Sequence, residues 1–284
     1  MSGVPGRVAV IGGGRMGAGI AQVFLAAGAH VAVVEAGGEA AEAARGRVAR
    51  GLDQAAGRGG LDADLGEVLG RLTLLDTPAD LGRDTDLVVE AVPERADLKA
   101  EVLGAAAAAA GPAAVLATNT SSLSVTELAA ALERPSRFLG MHFFNPVPAS
   151  ALVELVVAPE TDPVLVDAAC GWVRALGKTG IVVRDSPGFA SSRLGVLLGL
   201  EAIRMLEEGV ADAEAIDTAM ELGYRHPMGP LRSTDLVGLD VRLAIAEHLH
   251  RTLGERFAPP QLLRDKVAAG DLGRKTGRGF HTYD

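Results

Sequence analysis

The sequence predicts an α/β fold: a doubly wound, parallel sheet with helices on both faces, followed by an all-α C-terminal domain. In the first part of the chain, short apolar runs rich in β-branched residues alternate with longer Ala-rich stretches, which is typical of alternating strands and helices. Several of these runs are apolar at successive positions, as strands covered on both faces are. After Arg184, apolar residues recur only at helical spacing, which predicts a change from sheet to helices.

The elements of the first part follow from these runs. We expect eight strands, at Val8–Ile11, Val31–Val34, Leu72–Leu75, Leu87–Val92, Val115–Thr118, Phe138–Met141, Leu152–Val157 and Ile181–Val183. The helix-like segments between them are Gly17–Ala27, Ala40–Ala56, Ala96–Ala110 and Val164–Leu176.

The second part is expected to be helical throughout. Ser186 is placed to cap a helix with Pro187 at its first position, and the helical spacing continues to about Leu206. Further helices are expected at Asp212–Leu222, Thr234–Leu253 and Pro260–Ala269. With 284 residues, two domains are expected, an α/β domain over residues 1–184 and a helical domain over residues 185–284.

Composition excludes several classes of function. The net charge of −9 argues against a nucleic-acid partner, because such partners need a basic surface. No apolar run reaches the roughly 18 residues that a membrane span requires, so no membrane partner is expected. A single cysteine rules out an intrachain disulfide and a Cys-based zinc site. We therefore expect a cytoplasmic protein without a metal site.

A glycine-rich segment follows the first predicted strand. Gly12, Gly14 and Gly17 form the pattern G-x-G-x-x-G, with Arg15 and Met16 inside it, and a predicted helix follows. The first glycine permits a tight turn, the second lets the backbone approach a pyrophosphate, and the third lets the helix pack on the strand. The helix N-terminus offers amides and positive potential to phosphates. A Rossmann-like dinucleotide site is predicted.

An acidic residue selects between the two nicotinamide dinucleotides. Glu35 directly follows the second predicted strand. A carboxylate at that position accepts hydrogen bonds from the ribose hydroxyls of NAD and repels the 2′-phosphate of NADP. NAD is therefore the expected cofactor.

One histidine and one glutamate stand out as an acid–base pair. His142 follows the predicted strand Phe138–Met141, and ligands of doubly wound sheets bind at strand carboxyl ends. A histidine beside a nicotinamide can exchange a proton with an alcohol or ketone. Glu154 lies in an otherwise apolar strand, where a carboxylate is costly without a partner. Pairing with His142 would remove that cost and orient the imidazole.

These residues lie in segments that resemble the short-chain L-3-hydroxyacyl-CoA dehydrogenases, in particular the bacterial 3-hydroxybutyryl-CoA dehydrogenases. The resemblance covers essentially the whole chain. The matching segments are GGGRMGAGIA (12–21), EAVPE (90–94), NTSSL (119–123), GMHFFNPVP (140–148), LVELV (152–156), DSPGF (185–189), HPMGP (226–230), GLD (238–240) and GRKTGRGF (273–280). Their order and spacing are far more specific than the glycine motif alone.

The resemblance implies a role for each matching residue. His142 is similar to the family's catalytic base and Glu154 to the acid that pairs with it, while Ser121 matches the serine that hydrogen-bonds the substrate oxygen. The positions that match residues lining the cofactor site are Glu35, Glu94, Lys99, Asn145 and Lys275. The implied substrate is an acyl-CoA, and the implied assembly is a homodimer formed through the C-terminal helices.

The chain departs from the family at one position. Where the family has an asparagine that contacts substrate, this sequence has Ser192, whose shorter side chain has no amide. The substrate contact there is in doubt, whereas the acid–base pair is unaffected. Two alternatives stay open: a relative acting on an acyl-carrier-protein-bound or free hydroxy acid, and a catalytically silent binding or structural relative, since fold does not guarantee function.

Overall fold

The computed structural model describes residues 3–283 and divides into two compact units between Ser186 and Pro187. The first unit is built on an eight-stranded sheet of order β3-β2-β1-β4-β5-β6-β7-β8. Its strands are β1 (Arg7–Ile11), β2 (His30–Val34), β3 (Leu72–Leu75), β4 (Leu87–Glu90), β5 (Val115–Thr118), β6 (Phe138–Phe143), β7 (Leu152–Val157) and β8 (Thr179–Arg184). The α/β fold class and the presence of all eight predicted strands are confirmed, but β4 ends at Glu90 and not at Val92 as predicted.

Helices of the first unit connect these strands. They are α1 (Arg15–Ala26), α2 (Gly38–Ala56), α3 (Leu65–Leu69), α4 (Ala96–Ala109), α5 (Val125–Ala130) and α6 (Pro163–Ala175). Helix α1 shows why the sequence folds this way: Ile20, Ala21, Phe24 and Leu25 recur at helical spacing and are completely buried. Burial of a side chain such as Phe24 contributes about 1.5–3 kcal/mol.

Strand β7 departs from the predicted parallel arrangement. All neighbouring strands pair in parallel except β6 and β7, which are antiparallel. The link between them, residues 144–151, is shorter than the dozen or so residues of a parallel crossover, so the chain can only fold back.

The second unit is helical, as expected. It contains α7 (Ser191–Glu207), α8 (Ala213–Gly223), α9 (Pro230–Val237), α10 (Leu239–Leu253) and α11 (Gln261–Ala268). Fully buried side chains of several of these helices form its core, among them Leu200, Ile203, Leu231 and Leu249.

Two predicted helix boundaries in this unit are wrong. The first helix starts at Ser191 and not beside Ser186, because Gly188 (φ 75°) and Phe189 (φ 49°) adopt left-handed backbone conformations that interrupt a helix. The single helix predicted over Thr234–Leu253 is two helices, since Gly238 has φ 102° and separates α9 from α10.

Candidate active site

The glycine loop leaves the end of β1 and enters α1. Gly12 has φ +99°, and a Cβ there would lie 2.8 Å from the Ala91 carbonyl oxygen. A Cβ at Gly17 would overlap the Gly12 carbonyl oxygen. Gly14, by contrast, has no protein atom within 4 Å of a Cβ position. Two glycines are thus required by the fold, while the space beside Gly14 is open for a ligand to approach the backbone.

Glu35 is joined to this loop. It directly follows β2, and its Oε2 accepts a hydrogen bond of 2.6 Å from the Gly13 amide. The Arg47 side chain, on α2, donates to the Gly13 carbonyl oxygen at 3.1 Å. The predicted ribose-binding acid and the predicted phosphate loop therefore lie together, as a dinucleotide requires.

Other predicted cofactor residues line a cleft of the same unit. Arg15 and Asn145 are exposed and border an open cleft of about 590 Å³ between α1, α2 and the segment 145–148. The peptide bond after Asn145 is cis. Lys178 holds this segment in place, since its Nζ donates to the carbonyl oxygens of Val147 and Ser150, each at 2.6 Å. Burial lowers the pKa of Lys178.

His142 and Glu154 form a buried pair. The antiparallel register of β6 and β7 places them directly opposite each other, and His142 Nδ1 lies 2.7 Å from Glu154 Oε2. Glu154 is 0% exposed and His142 is 7% exposed. Because a carboxylate only accepts hydrogen bonds, the ring donates from Nδ1. His142 lies within β6 and not after it, which corrects the predicted end of that strand.

Ser121 is held by Glu94. One Glu94 oxygen, Oε1, accepts hydrogen bonds from Thr120 Oγ1 (2.6 Å), the Ser121 amide (2.9 Å) and the Ser122 amide (3.1 Å). The Ser121 hydroxyl lies 3.3 Å from the same oxygen. Burial raises the pKa of Glu94, but the Lys99 charge and these hydrogen bonds outweigh it and hold the pKa below its ordinary value. The carboxylate thus orders the loop after β5.

A lysine on a predicted helix is usually exposed to solvent, but Lys99 is buried. It is 1% exposed and pairs with Glu90, whose side chain is completely buried, at 2.7 Å. Sequence reasoning missed Glu90. It ends the apolar run of β4, and the cost of an unpaired buried carboxylate, which singled out Glu154, would have identified Glu90 too.

The remaining predicted residues have these positions. Met16 is partly buried and packs against the core of the first unit. In the second unit, Ser192 lies in the first turn of α7 and is partly buried. Lys275 lies in a short turn, and its Nζ contacts both carboxylate oxygens of Asp240 at 2.6 Å.

The described part of the chain covers residues 3–283. Within that range, His, Cys, Asp and Glu side chains form no group of three or more that could hold a metal ion. None of the helices described there has the length and apolar character needed to cross a membrane.

Comparison with known proteins gives concordant matches over the whole chain. Residues 7–186 match the family model of the 3-hydroxyacyl-CoA dehydrogenase NAD binding domain, and residues 188–283 match that of the 3-hydroxyacyl-CoA dehydrogenase C-terminal domain. A probable 3-hydroxybutyryl-CoA dehydrogenase of Deinococcus radiodurans is 42% identical over 278 residues, covering 98% of this chain and 100% of the relative.

Solved structures of related proteins show the same similarity over the whole chain. The (S)-3-hydroxybutyryl-CoA dehydrogenase PaaH1 from Ralstonia eutropha superposes with a TM-score of 0.93 at 41% identity, covering 99% of each chain. A diketoreductase that catalyses reactions of dicarbonyl compounds superposes with a TM-score of 0.85 at 30% identity, covering 100% of both chains.

Proposed function

This chain belongs to the 3-hydroxyacyl-CoA dehydrogenase family, and on that premise we propose that it interconverts L-3-hydroxyacyl-CoA and 3-ketoacyl-CoA with NAD. A short acyl chain, as in 3-hydroxybutyryl-CoA, fits the names of its relatives. The observation that carries the proposal is the buried contact of 2.7 Å between His142 Nδ1 and Glu154, because this chemistry needs an oriented acid–base group.

In the oxidative direction, His142 takes the proton of the C3 hydroxyl on its Nε2. Glu154, bonded to Nδ1, fixes the ring orientation and stabilises the imidazolium that forms. The Ser121 hydroxyl hydrogen-bonds the substrate oxygen. Ser192 of the second unit, in place of the family's asparagine, is a further proposed substrate contact. NAD held by the glycine loop and Glu35 would supply the acceptor for the hydride of C3. In the reverse direction the imidazolium returns its proton to the oxygen.

The cofactor site is assigned to the glycine loop and its neighbours. Backbone amides between Gly12 and Gly17 and the N-terminus of α1 suit a pyrophosphate, and the open space at Gly14 lets it approach. Glu35 accepts the ribose hydroxyls, which favours NAD over NADP. The other proposed cofactor-site residues are Arg15, Met16, Glu94, Lys99, Asn145 and Lys275.

The proposed acyl carrier of the substrate is CoA. Exposed Arg47 and Arg50 border the cleft beside Asn145 and are available to a phosphorylated carrier such as CoA. The similarity to a diketoreductase supports the alternative of a free carbonyl substrate. A silent relative is disfavoured because the His142–Glu154 pair is intact.

The proposal also includes the oligomeric state of the protein and its cellular compartment. Large apolar side chains are exposed on helices of the second unit, among them Leu194 (67%) and Leu222 (79%), and an exposed apolar surface of this kind marks a protein interface. We assign this surface to a homodimer. The single cysteine supports a reducing compartment, the cytoplasm.

Oxidation of NADH, measured with different carbonyl substrates, tests the proposed function. Acetoacetyl-CoA, longer 3-ketoacyl-CoAs, acetoacetate and a 3-ketoacyl carrier protein are compared at equal concentration. Acetoacetyl-CoA is expected to give the highest kcat/KM. Turnover of acetoacetate alone would transfer the assignment to a free-acid dehydrogenase, and no turnover of any substrate would favour a silent relative.

A further inference from the structure

A buried arginine occupies a core position of the second unit. Arg242, Ala246 and Leu249 recur at helical spacing on α10 and are 6%, 0% and 0% exposed. Ala246 and Leu249 belong to the apolar core of this unit. Because arginine is almost never buried to this extent without a partner, its place on this face of α10 indicates a function beyond packing.

The charge of Arg242 is not neutralised by the described residues. Within residues 3–283, its buried Nε has no hydrogen-bond acceptor, and no neighbouring carboxylate contributes to the pKa of its guanidinium. Burial lowers the pKa of Arg242 to about 10, so the side chain is still charged at neutral pH. An unpaired charge in a protein interior is costly, and an anion bound beside it would remove that cost.

Two glycines of α7 make room for the guanidinium. An added Cβ at Gly199 would lie 3.8 Å from Arg242 Nε, and one at Gly195 would lie 3.9 Å from Arg242 Nη1. The guanidinium therefore extends along α7 from Gly199 toward Gly195. Gly199 is buried, whereas Gly195 is exposed, so Nη1 lies at the end that is nearer to the surface.

Ser192 lies on the same side of α7 as these glycines. Ser192, Gly195 and Gly199 are spaced three and four residues apart, which places them on one side of a helix. This side thus carries the proposed substrate contact first, and Arg242 Nη1 about one helical turn farther along.

The surface assigned to the homodimer is a different side of α7. Leu194 and Leu197 are exposed, and at about 100° per residue they lie nearly opposite Ser192 around the helix. A second copy bound to these leucines is therefore not the expected source of the anion.

We propose that Arg242 binds a carboxylate at the far end of the acyl chain, and that the substrates of this enzyme include 3-ketoacyl-CoAs whose acyl group ends in a carboxylate. The inference rests on the proposed function, in particular on Ser192 as a substrate contact. A guanidinium binds a carboxylate through two parallel hydrogen bonds, and the ion pair neutralises the buried charge. A terminal methyl group does neither.

The spacing along α7 suits a six-carbon acyl group. Ser192 and Gly195 are three residues apart, which is about 4.5 Å along a helix axis. In a six-carbon chain the terminal carboxylate carbon is three bonds beyond C3, a comparable length. With the 3-oxygen at Ser192, the carboxylate reaches the side of Gly195 on which Arg242 Nη1 lies.

Oxidation of NADH by two substrates of equal length tests the inference. 3-Oxoadipyl-CoA and 3-oxohexanoyl-CoA differ in their terminal group, a carboxylate or a methyl. The wild type is expected to have the higher kcat/KM with 3-oxoadipyl-CoA. Arg242→Met should lower the ratio of the two kcat/KM values about tenfold or more, since hydrogen bonds to a charged group are lost. Its Tm should not fall, because an apolar side chain replaces an unpaired buried charge.

Arg251→Met is the matched control. Arg251 is exposed on the same helix, so this variant removes an equal charge and should keep the wild-type ratio. Equal losses of kcat/KM with both substrates in Arg242→Met would overturn the inference, because the arginine would then serve a part that the substrates share. Loss of a dimer in analytical ultracentrifugation, with an unchanged ratio, would assign Arg242 to a subunit interface and would also overturn it.

A second variant leaves Arg242 in place. An added Cβ at Gly195 makes an ordinary contact of 3.9 Å with Arg242 Nη1, so Gly195→Leu should fold. Its apolar side chain would cover the guanidinium, and the preference for 3-oxoadipyl-CoA should fall. An unchanged preference in both Gly195→Leu and Arg242→Met would contradict the proposal.

Failure of the inference can be distinguished from failure of the proposed function. If the wild type reduces acetoacetyl-CoA but has no preference for 3-oxoadipyl-CoA over 3-oxohexanoyl-CoA, the inference alone fails. If it reduces no carbonyl substrate, the proposed function fails, and calorimetric titration with adipyl-CoA and hexanoyl-CoA then tests Arg242 directly. Tighter binding of adipyl-CoA that is lost in Arg242→Met would support the inference, and equal affinities in the wild type would overturn it.

Discussion

Replacing Glu154 with glutamine removes the negative charge beside His142 while keeping the side chain's shape. Glu154 is completely buried and its oxygen lies 2.7 Å from His142 Nδ1, so solvent cannot substitute for the lost charge. A hydrogen bond to a charged group contributes about 1.5–3 kcal/mol. Because about 1.4 kcal/mol in the barrier is a factor of ten, Glu154→Gln should lower kcat about 10- to 160-fold.

The assay is steady-state NADH oxidation with acetoacetyl-CoA, together with the NADH dissociation constant and Tm of each variant. Glu160→Gln is the matched control, since Glu160 is exposed in the turn after β7 and should be dispensable. NADH affinity should be unchanged in both variants. A folded Glu154→Gln enzyme with kcat within twofold of the wild type would refute the role of the buried carboxylate.

Three further predictions concern cofactor binding and acid stability. Gly14→Ala should fold normally yet lose NADH affinity, whereas Gly17→Ala should lower Tm because its Cβ would overlap the Gly12 carbonyl oxygen. Calorimetry measures Tm, and fluorescence titration measures the NADH affinity of each variant. Equal losses of Tm in the two variants would contradict this prediction. Glu35→Gln should raise kcat/KM for NADPH relative to NADH about tenfold or more, since a repulsive charge is removed; an unchanged ratio would exclude Glu35 from cofactor choice. The pKa of Glu94 is lowered from its ordinary value of 4.5, because burial raises it less than the Lys99 charge and the hydrogen bonds lower it. The contribution of ionised Glu94 to the free energy of unfolding is therefore present above pH 4.5 and is lost as pH falls through the folded-state pKa. The free energy of unfolding of Glu94→Gln should therefore fall less steeply below pH 4.5 in acid titrations of unfolding, and a slope equal to that of the wild type would contradict this.

The central strands β4, β5 and β6 were predictable because their apolar runs are buried on both faces of the sheet. The outer strands β3 and β8 are less buried and were predictable from their β-branched and apolar residues. The proximity of His142 and Glu154 was predictable for a related reason, since a carboxylate inside an apolar strand requires a partner. Their contact in the structure agrees with that reasoning, while their catalytic roles stay predictions. The link between β6 and β7 is too short for a parallel crossover, so its length predicts that these strands are antiparallel. The alternation of strands and helices alone predicted a parallel arrangement.

Features that depend on tertiary packing were not predictable from local sequence. The burial of Lys99 depends on Glu90 and Glu94, which lie nine and five residues before it and approach it only when α4 packs on the sheet. The helix start at Ser191 was missed because Phe189 adopts a left-handed conformation that is uncommon for a bulky residue. Gly238 was a possible break, but glycine within a helical pattern is also tolerated.

Single-turnover oxidation of bound NADH by acetoacetyl-CoA, in the wild type and in His142→Gln, measures the proposed acid–base step itself. Removal of a positioned general acid or base lowers the rate about 10²–10⁴-fold. We predict a loss of this size in His142→Gln with NADH affinity retained. Equal rates in the two proteins would show that His142 is not the proton-transfer group.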